Sequence, residues 1–289
     1  MTNQFEVAGH RFSVNADAGM FSLMRQYQPF WMPDEGINKL VFSAHVVEKS
    51  DFPSVKCSHV LTTVVDGDLC LKVSKLKDGL YGEQHLQDKL SMRMIVDADY
   101  AKAIIALDND PLWGINNALM LLFALSTSKL QTVLFHAAAI CLDGAGYLFL
   151  GKSGTGKSTH ARLWINHIPH TELLNDDNPV VRIHNQGEIR VYGSPWSGKT
   201  PCYRQKSAPL KGIVKLGQAD HNVMNRLSII EAYSVIAPSV SGMRWDDKIS
   251  DCLHETESKL ALMIPVWHLD CLPDKEAARL CAVNLLDLI

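Results

Sequence analysis

The stretch GKSGTGKST, from Gly151 to Thr159, matches the phosphate-binding loop pattern G-x-x-x-x-G-K-S/T. Glycines allow backbone angles that side chains forbid, so successive N–H groups can point inward and surround a phosphate. Lys157 is placed to reach the outer phosphates, and the Ser158 hydroxyl to hold a magnesium ion. The predicted nucleotide-binding residues are Gly151, Ser153, Gly154, Thr155, Gly156, Lys157, Ser158 and Thr159.

The flanking residues support this interpretation. Apolar residues 147–150 precede the loop and are typical of a buried strand. After the loop, Ala161, Trp164, Ile165 and Ile168 recur as one helix face, and Pro169 ends the pattern. A strand, a glycine loop and a helix form the required order, because the helix N-terminus adds its dipole to anion binding. The alternative is an ordinary glycine-rich turn. His160 and His167 are interpreted as surface residues of this helix.

Composition bounds the class of protein. The 289 residues are 47% hydrophobic with a net charge of −3, which indicates a folded chain and argues against a general nucleic-acid binder. The first residues lack the apolar core of a secretion signal, and the apolar run 118–125 is too short to span a bilayer. Seven scattered cysteines without C-x-x-C spacing favour free thiols. We therefore expect a cytoplasmic protein with no membrane partner, and we interpret Cys202 as inert.

Strand and helix patterns predict two domains. Residues 1–105 form a β-rich domain of unknown role, with the clearest hairpin at 60–65 and 69–73 around Asp66-Gly67. From 106 onward we expect an apolar helix near 115–125 and a strand at 132–142 that carries His136 and turns at Asp143-Gly144. So short a turn requires antiparallel strands. A second hairpin joins 180–183 to 189–192, and later elements are helices near 228–237, 246–263 and 274–288 with a strand at 264–269. The fold class is therefore α/β with a mixed, partly antiparallel sheet.

A pair of carboxylates follows the next strand. Residues 173–177 read Leu-Leu-Asn-Asp-Asp before Asn178-Pro179. One acid can hold magnesium, which prefers oxygen ligands, and the other can accept a proton from an attacking hydroxyl. We assign Asp177 to the metal and Asp176 to the base, and we expect His136 to hydrogen-bond Asp176. The alternatives are two solvated turn acids and a core histidine satisfied by backbone.

Basic residues supply a third feature. Residues 189–219 contain no acid and six basic side chains. Lys199 and Arg204 are predicted to neutralise charge on a transferring phosphoryl group, as arginine fingers do. The alternative is a solvated basic loop. Lys206, Lys211 and Lys215 are interpreted as surface residues.

The loop, the acid pair and Pro195-Trp196 together resemble the C-terminal kinase domain of the HPr kinase/phosphorylase family and HPr-kinase-like serine kinases. That family shares the fold of phosphoenolpyruvate carboxykinases, and the resemblance covers about residues 130–289. It implies that the loop residues bind ATP or a related phosphate donor, that one aspartate holds Mg²⁺, and that His136 assists the aspartate that deprotonates a serine hydroxyl. Thr159 stands where HPr kinases tend to have Glu, and Lys152 replaces an acidic or small residue, so HPr itself is not the expected acceptor.

The sequence therefore predicts an ATP-dependent kinase that uses Mg²⁺ and phosphorylates a hydroxyl of a small molecule or peptide, most simply serine. Two other functions stay open at this point. One is a nucleotide-sensing module that transfers no phosphate, and the other is carboxykinase-like chemistry on a keto acid. The sequence also leaves open the phosphoryl donor, which can be ATP, ADP or pyrophosphate, and whether the chain forms a homo-oligomer.

Overall fold

The computed structural model describes residues 1–33, 36, 39–198 and 200–286. The chain divides into two compact units: residues 1–127 with 243–249, and residues 128–242 with those from 250 onward. The sequence predicted a boundary between residues 105 and 106. The observed division lies after the following helix, and a short segment from late in the chain joins the first unit.

The first unit contains a mixed nine-stranded sheet in the order β3-β1-β2-β4-β9-β8-β7-β6-β5. Its strands are β1 (Thr2–Val7), β2 (His10–Asn15), β3 (Trp31–Met32), β4 (Leu40–Val47), β5 (His59–Asp66), β6 (Leu69–Leu76), β7 (Gly79–Leu86), β8 (Lys89–Val96) and β9 (Lys102–Leu107). Strand β4 runs parallel to β2 and β9, and the other pairs are antiparallel. The predicted hairpin is confirmed as β5–β6, and Gly67 supplies the positive φ of 57° that its turn requires.

Helices α1 (Ala18–Leu23) and α2 (Pro111–Thr127) belong to the first unit. The predicted apolar helix is confirmed as α2, which is longer than expected. The Asp110 carboxylate accepts a hydrogen bond from the Trp113 N–H, so it caps the first turn ahead of Pro111. The helix buries Leu119, Leu122 and Phe123 and packs on β4, β8 and β9. This packing is the reason that α2 belongs with the first unit.

The second unit contains a mixed ten-stranded sheet with the main order β13-β11-β12-β16-β15-β14-β10-β18. Its strands are β10 (Thr132–Phe135), β11 (Ala137–Leu142), β12 (Ala145–Leu150), β13 (Thr171–Asp177), β14 (Val180–Ile183), β15 (Ile189–Tyr192), β16 (Ser207–Gln218), β17 (Val223–Arg226), β18 (Val240–Ser241) and β19 (Val266–Cys271). Strands β12, β16 and β19 run parallel as neighbours, while the β11–β12 and β14–β15 hairpins are antiparallel. The predicted α/β class with a partly antiparallel sheet is confirmed.

The remaining helices are α3 (Lys157–His167), α4 (Ile229–Ile236), α5 (Asp247–Met263) and α6 (Lys275–Leu286). Short 3-10 helices lie at Arg25–Phe30, Lys49–Asp51, Ser128–Leu130 and Ala237–Ser239. The three helices predicted at the C-terminal end are confirmed, with bounds within one residue of the prediction; residues 287 and 288, predicted as the end of the last helix, lie outside the described residues. Strand β19 begins two residues later than predicted.

The strand predicted at 132–142 is interrupted. Strand β10 pairs with β14 and β18, and β11 pairs with β12 and β13, so His136 lies where the chain passes from one ladder to the next. The next residue, Ala137, is opposite Leu150 on one side and Asp177 on the other. This register brings His136 to the edge of the sheet at which β12 and β13 end. The glycine loop follows β12 there, and the acid pair ends β13.

A buried core holds α3 against the sheet. Trp164 is fully buried against Tyr147 and Phe149 of β12 and lies in one cluster with residues of α6. The interpretation of His160 as a surface residue is wrong: it is buried, and it accepts a hydrogen bond from the Trp164 indole N–H at 3.1 Å. Burial lowers the pKa of His160 to about 4, so its ring is neutral near pH 7. His167 is exposed, as predicted.

Candidate active site

The glycine loop joins the C-terminal end of β12 to the first turn of α3. Gly154 and Gly156 have φ values of 80° and 105°, in the region that side chains rarely adopt. Gly156 immediately precedes α3, so the unpaired N–H groups of the first helical turn face the loop. This arrangement has the backbone donors and the dipole that an anion requires.

A cavity of about 420 Å³ opens in front of the loop. Its walls combine the loop with the predicted histidine and both predicted acids; the lining residues are His136, Ala137, Ser153, Gly154, Gly156, Lys157, Ser158, Thr159, Asp176, Asp177 and Gly198. Two of the predicted nucleotide-binding residues, Gly151 and Thr155, do not line this cavity. The Gly151 carbonyl accepts from Lys157, and Thr155 borders a different cavity.

Lys157, His136 and Asp177 form a continuous hydrogen-bonded chain. The Lys157 Nζ lies 2.8 Å from His136 Nε2 and 2.9 Å from the Gly151 carbonyl oxygen. His136 Nδ1 lies 3.1 Å from Asp177 Oδ1. If the lysine donates to Nε2, the ring proton sits on Nδ1 and points at the carboxylate. The prediction that His136 hydrogen-bonds Asp176 is therefore wrong. The strand register turns Asp177, and not Asp176, toward the histidine.

The Lys157 ammonium lies in a poorly solvated position. Burial lowers the pKa of Lys157 below its usual value, Asp177 and Asp176 act in the opposite direction, and nearby Lys215 lowers it further. Lys157 is mainly held by neutral acceptors, the Gly151 carbonyl and the His136 ring. A buried cation of this kind gains most from an incoming anion.

The two acids differ in exposure and partners. Asp176 is buried, while about a third of the Asp177 side chain is exposed in the cavity. The second carboxylate oxygen of Asp177 accepts from the Asn178 amide at 2.8 Å. The sequence analysis gave Asn178 no role beyond ending the strand. The Asn-Pro pair was the signal that could have indicated an ordered turn there.

A second group of residues missed by the sequence analysis holds the end of β13 in place. The Asn175 side chain is buried, and its amide donates to Ser194 Oγ at 3.1 Å while its carbonyl accepts from the Asn178 N–H at 2.9 Å. The Gly198 N–H donates to the Asp176 carbonyl at 2.7 Å. The segment that contains Pro195-Trp196 therefore braces the acid pair and contributes Gly198 to the cavity wall.

The predicted basic residues are placed differently from expectation. Arg204 pairs with Glu172 at 2.9 Å. Glu172 lies five residues before Asp177 on β13, about 16 Å away at 3.3 Å per residue, so Arg204 does not face the cavity. Lys206 pairs with the same glutamate. Lys199 lies outside the described residues. Cys202 is buried, and burial raises the pKa of its thiol, which agrees with an inert residue.

Lys215 occupies a place near the loop. It was interpreted as a surface residue, but it is half-buried opposite Leu150, the last residue of β12. Burial lowers the pKa of Lys215, and Lys152 at the second loop position lowers it further. In the described part of the chain, no carboxylate lies within 4.0 Å of either lysine. Lys152 and Lys215 thus add positive charge to the loop on a side different from that of Lys157.

Oxygen donors for a hard cation face the same cavity. These are the Asp176 and Asp177 carboxylates and the Ser158 hydroxyl. Among the described residues, no group of three or more His, Cys, Asp and Glu side chains is arranged to hold a metal. The two carboxylates and the hydroxyl fit an ion such as magnesium, which takes one or two carboxylates and completes its shell with phosphate oxygens and water.

No family model matches the chain, and no curated protein matches it. Among solved structures, the HPr(Ser) kinase/phosphatase from Coxiella burnetii is similar over 54% of this chain and 88% of that chain, with 12% identity and a TM-score of 0.34. This is a weak structural relation to the family that the motifs resemble. Across the described ranges, no helix has both the length and the apolarity to cross a membrane.

Proposed function

We propose that this chain is a kinase that transfers a phosphoryl group from magnesium-bound ATP to a hydroxyl, that of serine, free or in a peptide. The observation that carries the proposal is the cavity that joins the glycine loop and the buried Lys157 to His136 and Asp177. Phosphoryl transfer mainly needs positioning and charge neutralisation, and these residues provide both kinds of group. The choice of serine rests on the resemblance of the sequence motifs.

The loop and Lys157 bind the donor phosphates in this proposal. Backbone N–H groups at the start of α3 donate to phosphate oxygens, and the dipole of α3 favours their negative charge. Lys157 then exchanges its bonds to the Gly151 carbonyl and His136 for a phosphate oxygen. This exchange relieves the cost of holding a desolvated cation among neutral acceptors. It also frees His136 Nε2.

The partner of His136 changes the proposed order of the two acids. Asp176 was assigned as the base because a bond from His136 was expected to orient it. That bond goes to Asp177, which is also the more exposed carboxylate in the cavity. We therefore assign Asp177 as the base. It takes the proton of the acceptor O–H while the acceptor oxygen attacks the terminal phosphorus of ATP, and ADP leaves. His136 and Asn178 hold that carboxylate from two sides.

Asp176 and Ser158 are then the residues that would hold magnesium. Both line the cavity, and a buried carboxylate at this position needs a cation nearby. A bound magnesium ion supplies neutralisation of charge on the phosphate oxygens.

The test is incubation with labelled ATP, magnesium and a panel of serine-bearing peptides and hydroxylated metabolites. We expect label on one acceptor class, and we expect Lys157→Ala to lower turnover by about a hundredfold or more, the scale of losing one preorganised electrostatic contact. Lys211→Ala is the matched control, because Lys211 is an exposed lysine at the opposite end of the sheet. It should retain wild-type turnover.

Other outcomes would contradict the proposal. Tight ATP binding without transfer to any acceptor, or to water, would favour a nucleotide-sensing module. Oxaloacetate-dependent loss of ATP would favour carboxykinase-like chemistry. Unchanged turnover in Lys157→Ala would show that the loop has no role in the mechanism.

A further inference from the structure

The two acids of the active site belong to opposite faces of the ten-stranded sheet. Residues that lie opposite each other on neighbouring strands point to the same face, and successive residues of one strand point to opposite faces. Asp176 lies opposite Ala138, which belongs to the core that packs α3 on the sheet, so Asp176 is on the α3 face. Asp177 lies opposite Ala137 and is therefore on the face away from α3.

Lys215 is on the same face as Asp177. Ala137 lies opposite Leu150 of β12, and Leu150 lies opposite Lys215 of β16, so all four residues form one row across the sheet. The next residue of β16, Leu216, belongs to the core under α3, which agrees with this assignment of faces. Three inter-strand spacings separate the backbones of Asp177 and Lys215, about 14 Å.

The face away from α3 is the side from which an acceptor approaches in the proposed function. The donor phosphates lie at the N-terminus of α3, and Asp177 takes the proton of the attacking hydroxyl. The attacking and leaving oxygens are roughly in line through the transferred phosphorus, so the acceptor lies on the Asp177 side of the phosphates. A side chain on this face is therefore placed to contact the acceptor.

Lys215 is a cation without a partner. It is half-buried, and the described residues offer it neither a carboxylate within 4.0 Å nor a hydrogen-bond acceptor. On the far side of Lys215, His268 lies opposite it and pairs with Asp270 at 3.3 Å. Burial and the like charge of Lys152 both lower the pKa of Lys215, and Lys215 lowers the pKa of nearby Lys157. An incoming anion would stabilise such a cation.

We propose that Lys215 binds a carboxylate of the acceptor, so that the enzyme phosphorylates a serine that has an acidic residue close to it in a peptide. This inference rests on the proposed function and deepens it by naming the acceptor class. The side chains of Asp177 and Lys215 span part of the distance between their backbones. An extended peptide advances about 3.3 to 3.6 Å per residue, so a carboxylate one or two residues from the serine reaches Lys215.

The experiment uses three peptides that differ only in the two residues on each side of a single serine, which are aspartate, alanine or lysine. With ATP and magnesium, the wild-type chain should show a kcat/KM for the aspartate peptide about tenfold or more above that for the alanine peptide, the scale of one charge-assisted hydrogen bond. Lys215→Met should abolish this preference, and Lys215→Arg, which keeps the charge, should retain most of it. Lys211→Met is the matched control, since Lys211 is an exposed lysine of the same strand. It should show the wild-type preference.

Binding of the same peptides without ATP, measured by calorimetry, separates this inference from the proposed function. Equal affinity and equal kcat/KM for the three peptides, or efficient transfer to free serine alone, would overturn the inference and leave the kinase proposal standing. A loss of ATP affinity in Lys215→Met with an unchanged peptide preference would assign Lys215 to the donor and also contradict the inference. Lys215-dependent binding of the aspartate peptide without any phosphoryl transfer would instead count against the kinase and support the carboxylate site.

Discussion

Asp176 and Asp177 are adjacent in sequence, but they have different surroundings. Asp177 is held by His136 and Asn178 and is partly exposed, while Asp176 is buried beside the loop. We expect Asp177→Asn to lower kcat by about a hundredfold, the usual contribution of a general base, with the magnesium dependence unchanged. Asp176→Asn should raise the magnesium concentration needed for half-maximal rate. Steady-state kinetics over a magnesium series measures both effects. The reverse pattern would restore the order first predicted from the sequence.

The buried His160 makes the stability of the folded chain decrease at acid pH. Its folded pKa of about 4 lies below its ordinary value of about 6.5, so the unfolded chain binds the proton more readily. Stability is therefore lost as pH falls from about 6.5 to 4, by about 2 to 3 kcal/mol from this residue. His160→Gln should remove that part of the pH dependence. Denaturant unfolding at pH 7 and 4.5 measures it, with the exposed His167→Gln as control. An equal loss of stability in wild type and His160→Gln would contradict this account.

At the scale of elements, the segment 193–198 sets the end of β13. Gly198 lies close to the end of this strand. A Cβ added at Gly198 would be 2.7 Å from the Asp176 carbonyl oxygen and 3.1 Å from the Asp177 Cβ. Gly198→Ala should therefore push this segment away, shift both carboxylates, and lower kcat/KM by about tenfold or more, since small misplacements are costly in catalysis. Gly82→Ala is a suitable control, because its added Cβ would meet only Met94 Cε at 3.8 Å. Wild-type kinetics in Gly198→Ala would show that the segment does not position the acids.

Local sequence signals predicted the elements that have their own chemistry. The glycine loop, the Asp-Gly turn and the strands 180–183 and 189–192 lie where they were expected, because glycine conformation and strand alternation are encoded over a few residues. Contacts between distant segments were predicted poorly. The bond of His136 to Asp177 depends on the register of β11 with β13, and the pairing of Arg204 with Glu172 depends on where residues 200–206 pass over β13. Neither leaves a local pattern.

At the scale of the whole molecule, the predicted and observed divisions of the chain make different predictions for a fragment of residues 106–289. The predicted boundary would leave that fragment as a complete domain. In the structure, α2 buries Ile115, Leu119, Leu122 and Phe123 in the first unit, and the Tyr100 hydroxyl donates to Asp246 at 2.8 Å. A fragment without residues 1–105 exposes these four side chains to water, at a cost of about 1.5 to 3 kcal/mol each. We therefore expect it to aggregate in size-exclusion chromatography. Replacing the four by serine should reduce aggregation, whereas a monomeric 106–289 fragment with cooperative unfolding would place the boundary at 105 after all.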